Sequence, residues 1–273
     1  MAETATTAAA ATENEEKEAQ QYWGYLFRED RCGTDRFNRL LAGIAHYITG
    51  TLSPSSSPDL TPSQLSLFYK RVGGNYDALF HETPSSSISF IYKSLGCLHS
   101  LQPLPDDDGY GSPSVPALKK SGFVTWQTIQ LLLGPEEHVP FLQNAVKEFE
   151  IVDPETGKLF PSLLPKACFP LHPDKDMVEW YEGVGEKLQR EAEEEKSRAE
   201  PNEHTPSEDG AQSDTSVEER EDAAKYFANP FYRDTQGRPG ISRQGSRLVD
   251  SLFFSVPQSC FASLETDART LLT

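Results

Sequence analysis

Cysteine, histidine and closely spaced carboxylates are the residues of this chain that could do chemistry. Cys97 and His99 stand two apart, and His172 is followed by Asp174 and Asp176. A zinc site needs four such ligands, usually arriving in closely spaced pairs. Neither cluster supplies them, so no metal ligand is assigned. Asp106, Asp107 and Asp108 are consecutive and lack the alternating acid pattern and distant glutamate of a calcium loop, as does the stretch from Arg28 to Asp35. Cys168 precedes His172 by four residues, the ingredients of a thiol nucleophile and its base. Set between Ala167 and Phe169, that cysteine reads better as a packed core thiol. The sequence holds no G-x-S-x-G elbow, no G-x-x-x-x-G-K-[ST] loop and no G-x-G-x-x-G turn. No catalytic residue and no cofactor-binding residue is therefore assigned.

A different chemistry is open to the far end of the chain. In ISRQGSRLVDSL, Arg243 lies three residues before Ser246, the spacing by which a basophilic kinase reads its substrate. Ser246 is accordingly a candidate phosphosite. Leu248, Val249 and Leu252 follow at helical offsets and form a candidate docking motif, to which a phosphate at the start of a short helix would add a charge that the helix dipole favours.

The elements that would carry such residues are mainly α-helical. Thr34 or Asp35 caps a helix whose Phe37, Leu40, Leu41, Ile44 and Ile48 share one stripe. Thr61, Pro62 and Gln64 spell a capping box for a second, which Gly73 and Gly74 stop. A third begins within Ser85 to Ser87 and places Ile88, Ile91, Tyr92 and Leu95 on one face, with Gly96 as a left-handed cap. Residues 102–116 are rich in Pro, Gly and Asp and read as a surface loop. Ser121 caps a fourth helix through Phe123, Trp126, Ile129 and Leu133. A fifth carries Phe141 to Phe149 and is expected to start near Val139, because Pro140 interrupts an earlier start. The segment FPSLLPKACFPLHP predicts an ordered proline-rich strap with one helical turn near 162–167. A last helix from about Asp174 docks by its first half and projects its second half into solvent. The reading is a compact domain of five to six helices over 22–190. Trp23, Tyr25, Phe27 and Trp126 belong to its core rather than to an exposed surface.

Charge separates this domain from its flanks. The chain of 273 residues carries a net charge of -17. Thirteen acidic and three basic residues fall within 191–222, and the first twenty residues hold five glutamates against one lysine. Such stretches bury too little apolar surface to offset their ordering entropy. Residues 1–20 are expected to be a disordered acidic tail, 191–222 an acidic disordered linker, and 223–273 a mostly disordered tail with short docking segments. The acidic balance disfavours duplex nucleic acid, whose binders neutralise phosphates. No apolar run is long enough for a membrane span, and four scattered cysteines suggest free thiols in a reducing compartment. An intracellular protein, cytoplasmic or nuclear, is expected.

The motif W-G-Y-L-F at Trp23 to Phe27, S-I-S-F-I-Y-K-S-L-G-C-L-H from Ser87 to His99, G-F-V-T-W from Gly122 and F-P-S-L-L-P from Phe160 occur in order. Together they resemble an uncharacterised fungal family with a domain of unknown function, over about 22–173. The resemblance implies an intracellular fungal protein and carries over no site residues. The functional expectation is a protein-interaction or scaffold module, with an enzyme of unrecognised site as the alternative. Its oligomeric state is open, no cofactor is implied, and its partner is expected to be a protein.

Overall fold

The computed structural model describes residues 14–104, 111–199 and 214–228. Helix α1 spans 14–23 and closes on Gly24, whose backbone has φ of 62°. Residues 14–20, assigned by composition to a disordered tail, are thus helical, and Ala19 is buried against the core. The charge pattern concealed one apolar contact within 14–20, on a helix that Trp23 also anchors to the core.

Helix α2 (Asp35–Tyr47) starts where its cap demands, with the Thr34 side chain accepting from the Phe37 amide. Its whole expected stripe, Phe37 through Ile48, is completely buried. A π-helical turn, Ile48–Leu52, follows. Helix α3 (Pro62–Val72) has the full capping box: Gln64 N donates to Thr61 Oγ1 at 3.4 Å, and the Thr61 amide donates to Gln64 Oε1 at 2.9 Å. Gly73 ends it at φ of 97°.

Helix α4 (Ser85–Ser94) begins without a side-chain cap, since Pro84 occupies that position. Its other end is a Schellman turn, in which Cys97 N donates to Tyr92 O and Gly96 N to Lys93 O. The expected surface loop at 102–116 joins two strands that take in its ends, and its other described residues, 103–104 and 111–114, lie in no helix or strand. Strands β1 (His99–Gln102) and β2 (Val115–Leu118) pair antiparallel, with His99 opposite Leu118 and Gln102 opposite Val115. Leu60 and Leu118 exchange backbone hydrogen bonds beside them.

Helix α5 (Lys120–Leu133) is buried nearly all round, capped by extended backbone at Lys119 rather than by Ser121. Helix α6 (Pro135–Glu148) starts at Pro135, four residues before the expected Val139. Gly134 O accepts from both Glu137 N and His138 N, so the first turn closes before Pro140 removes its one donor. The strap then crosses back. Trp23 Nε1 donates to Leu163 O, Leu26 N to Cys168 O and Gln143 Nε2 to Leu164 O. Its single 3-10 turn is Lys166–Cys168.

Helix α7 (Lys175–Ala199) was expected to leave the domain after its first half, and helix α8 (Asp214–Ala228) lies within the stretches expected to be disordered linker and tail. Both expectations are corrected together. α8 runs back along α7 and crosses α4, burying Ala223, Tyr226 and Phe227 and covering Leu188 and Ala192 of α7. The aromatic pair supplies the apolar area that the surrounding acidic composition lacks.

Candidate functional site

Three places could hold chemistry or a partner. The first is a cleft of about 430 Å³ between the 25–31 segment, the strap and the start of α7, lined by Tyr25, Arg28, Arg31, His172, Asp174 and Lys175 among others. Arg31 is the one described non-glycine residue with positive φ, 66°, closing a tight turn in which Arg28 N donates to Cys32 O. Its guanidinium takes both oxygens of Asp174, at 3.0 and 3.1 Å, and also pairs with Asp176. Asp174 Oδ1 further accepts from Met177 N, capping α7. Asp174 and Asp176 therefore tie the start of α7 to the Arg31 turn, while His172 is exposed on the cleft wall. Tyr25 is half exposed over the cleft, and desolvation followed by the nearby Asp174 charge raises its hydroxyl above the ordinary range.

Other sequence candidates resolve into packing. His99 bridges Ser89 Oγ, 2.8 Å from Nε2, and Cys97 O, 3.1 Å from Nδ1, and so pins the β1 start to α4. Burial pushes the Cys97 and Cys168 thiols up, which keeps them protonated and poor nucleophiles. These two cysteines are free. Cys260 lies outside the described residues. Among the described residues no group of three His, Cys, Asp or Glu side chains could hold a metal. Asp106 to Asp108, Ser246, Leu248, Val249 and Leu252 lie outside the described residues.

A second cluster is fully internal. Tyr69 and Tyr76 stack with ring centroids 4.1 Å apart. The Tyr69 hydroxyl accepts from Trp126 Nε1 at 3.0 Å and Gln127 Nε2 at 2.8 Å, while Tyr76 Oη lies 3.0 Å from His138 Nε2 and 3.3 Å from Glu137 Oε1. Desolvation drives the Tyr69 hydroxyl well above its ordinary range. This network joins α3, α5 and α6 through polar atoms that burial makes obligatory.

The third place is the groove under α8, built from α4, α5 and α7. Trp126 forms its floor and stacks on Tyr226 at 6.0 Å with rings 28° apart. The Tyr226 hydroxyl accepts from Gln130 Nε2 at 2.9 Å, and the Tyr181 hydroxyl donates to Tyr226 O at 3.3 Å. Phe227 packs on the Tyr181 ring at 4.7 Å. A side chain at position 185 would bring its Cβ within 2.9 Å of the Phe227 Cβ, so Gly185 makes room for the helix. At the start of α4, buried Ser87 Oγ donates to Asp222 Oδ2 at 3.1 Å, and Lys225 Nζ holds the other oxygen at 2.8 Å. Tyr92 lies in the same aromatic layer, edge-on to Trp126, and its buried hydroxyl has no hydrogen-bond partner among the described residues. Leaving such a group unserved costs roughly 1–3 kcal/mol. Sequence reasoning missed this site. Its only signal was the aromatic pair Tyr226-Phe227 with alanines before it, set in an acidic stretch.

No curated protein and no solved structure matches the chain. Among the described residues no helix is long and apolar enough to cross a membrane. The model of one family, domain of unknown function DUF7514, matches residues 24–185, more than half of the chain and nearly all the elements that build the groove and the cleft; the chain belongs to that family.

Proposed function

We propose that this protein is a helical protein-interaction or scaffold module that works inside the cell, in cytoplasm or nucleus, with a protein rather than a nucleic acid as its partner. One observation carries the reading. The domain seats a helix, α8, that lies beyond residues 24–185, and it reads that helix by side-chain hydrogen bonds as well as by apolar burial. Recognition of a helix in a groove is a recurring mode of protein binding. The cleft at Arg31 supports an enzyme less well, because its guanidinium, Asp174 and Asp176 are engaged with one another.

The test is chemical crosslinking of the tagged full chain in cell extract, followed by mapping of the linked peptides. Intermolecular links from 24–185 to a defined protein, lost when the chain is first denatured, are the expected result. Links that persist after denaturation, or none, overturn the reading.

A further inference from the structure

We infer that α8 is a displaceable occupant of the α4–α5–α7 groove, and that the groove's partner is an amphipathic helix with the same pattern: an acid followed at once by a small residue, tyrosine four positions after the acid, and a second aromatic next to it. In α8 these are Asp222, Ala223, Tyr226 and Phe227. The inference rests on the interaction-module reading and names its binding surface.

Each element of the pattern meets a built feature. Ser87, buried in the first turn of α4, donates to the acid. Gln130, buried in the last turn of α5, donates to the tyrosine hydroxyl, which a phenylalanine would lack. A site that hydrogen-bonds a hydroxyl discriminates strongly against the analogue without it. Tyr181 and the open space at Gly185 take the second aromatic. The groove is thus specific for a sequence and not merely apolar.

Two further facts make the occupant removable. The buried anchors Ala223, Tyr226 and Phe227 fall within little more than one turn of α8. Residues 200–213 separate α7 from α8, a connection of 14 residues where antiparallel helices ordinarily need about 2–8. α8 can therefore leave without pulling α7 with it.

A tether of this kind sets the local concentration of α8 near 1 mM. A free helix that binds the open groove at about 10 µM is then held back roughly 100-fold by the occupant. The test titrates a fluorescent synthetic peptide of residues 214–228 with the full chain, wild type and Tyr226→Ala. Peptide binding about 100-fold tighter to the variant, lost again on adding Gln130→Leu and weakened when the peptide's own tyrosine is replaced by phenylalanine, is expected. Equal binding to wild type and a folded variant overturns the inference. Should Tyr226→Ala fail to fold, native-state hydrogen exchange on the wild-type chain decides. Amides of 219–228 opening well before those of 120–133 sustain the inference, and opening only with global unfolding overturns it. Crosslinks from 24–185 to a partner, with no peptide binding at the groove, would discard this surface and leave the module reading intact.

Discussion

Single positions in this fold differ sharply in what they tolerate, and two glycines show it. At Gly122, in the first turn of α5, an added Cβ would sit 2.0 Å from the Leu98 carbonyl oxygen, against backbone that cannot rotate away. Gly183, exposed in α7, has nothing within 4 Å. Gly122→Ala should therefore destabilise the protein by more than about 2 kcal/mol, a strain of the overpacking kind. Gly183→Ala should stabilise it by roughly 0.5–1 kcal/mol, because alanine loses less backbone entropy in a helix. Denaturant midpoints of the two variants would separate these outcomes; equal shifts in one direction would contradict the packing described. A third position reports on the groove. Tyr226→Phe keeps the ring on Trp126 but strands the buried Gln130 amide, and should cost about 1–3 kcal/mol, read as faster amide exchange in α8 with little change in α6.

Elements with local caps are held by local chemistry, and α3 is the clearest. Thr61→Ala removes the acceptor of the Gln64 amide and breaks the reciprocal box, an expected loss of about 1 kcal/mol by thermal or chemical unfolding. Elements of this kind were legible in the sequence. Thr34, Thr61, Gly73 and Gly96 mark helix ends through hydrogen bonds and backbone angles that involve near neighbours, and the stripe from Phe37 to Ile48 carries its period openly. Elements fixed by distant partners were not. β1 and β2 are four residues each, and their pairing is set by Leu60 and by the start of α5. α8 has the composition of a solvated chain and becomes ordered through Trp126, Gln130 and Tyr181, all contributed by other helices. The candidate site was hidden for the same reason. The cleft at Arg31 joins positions 143 residues apart, Arg31 and Asp174, a pairing that the spacing of His172, Asp174 and Asp176 does not indicate. Helix propensity is overridden by such long-range contacts.

Across the whole molecule the polar groups of the aromatic core impose a pH limit that a surface count of charges would not suggest. Tyr69, Tyr92 and Tyr181 are buried, and desolvation, first among the causes in each, raises all three above the ordinary tyrosine value of 10.0; burial does the same to the Cys97 thiol relative to 9.0. The unfolded chain releases these protons at ordinary values while the folded chain retains them. Above pH 9 the unfolded state thus binds fewer protons than the native state, and the linkage slope of unfolding free energy against pH is negative. From neutral pH to about 9 stability should be level, then fall as the Cys97 thiol ionises in the unfolded chain, and fall more steeply past pH 10 as three tyrosines join it. Each fully engaged group contributes a slope of about 1.4 kcal/mol per pH unit. The acidic surface adds in the same direction only weakly, since its carboxylates are already ionised there. Urea unfolding at pH 8, 9.5 and 10.5 should show a progressive loss. Equal stability at the three values would mean that these hydroxyls reach solvent in the folded chain, and the aromatic core would not be sealed as described.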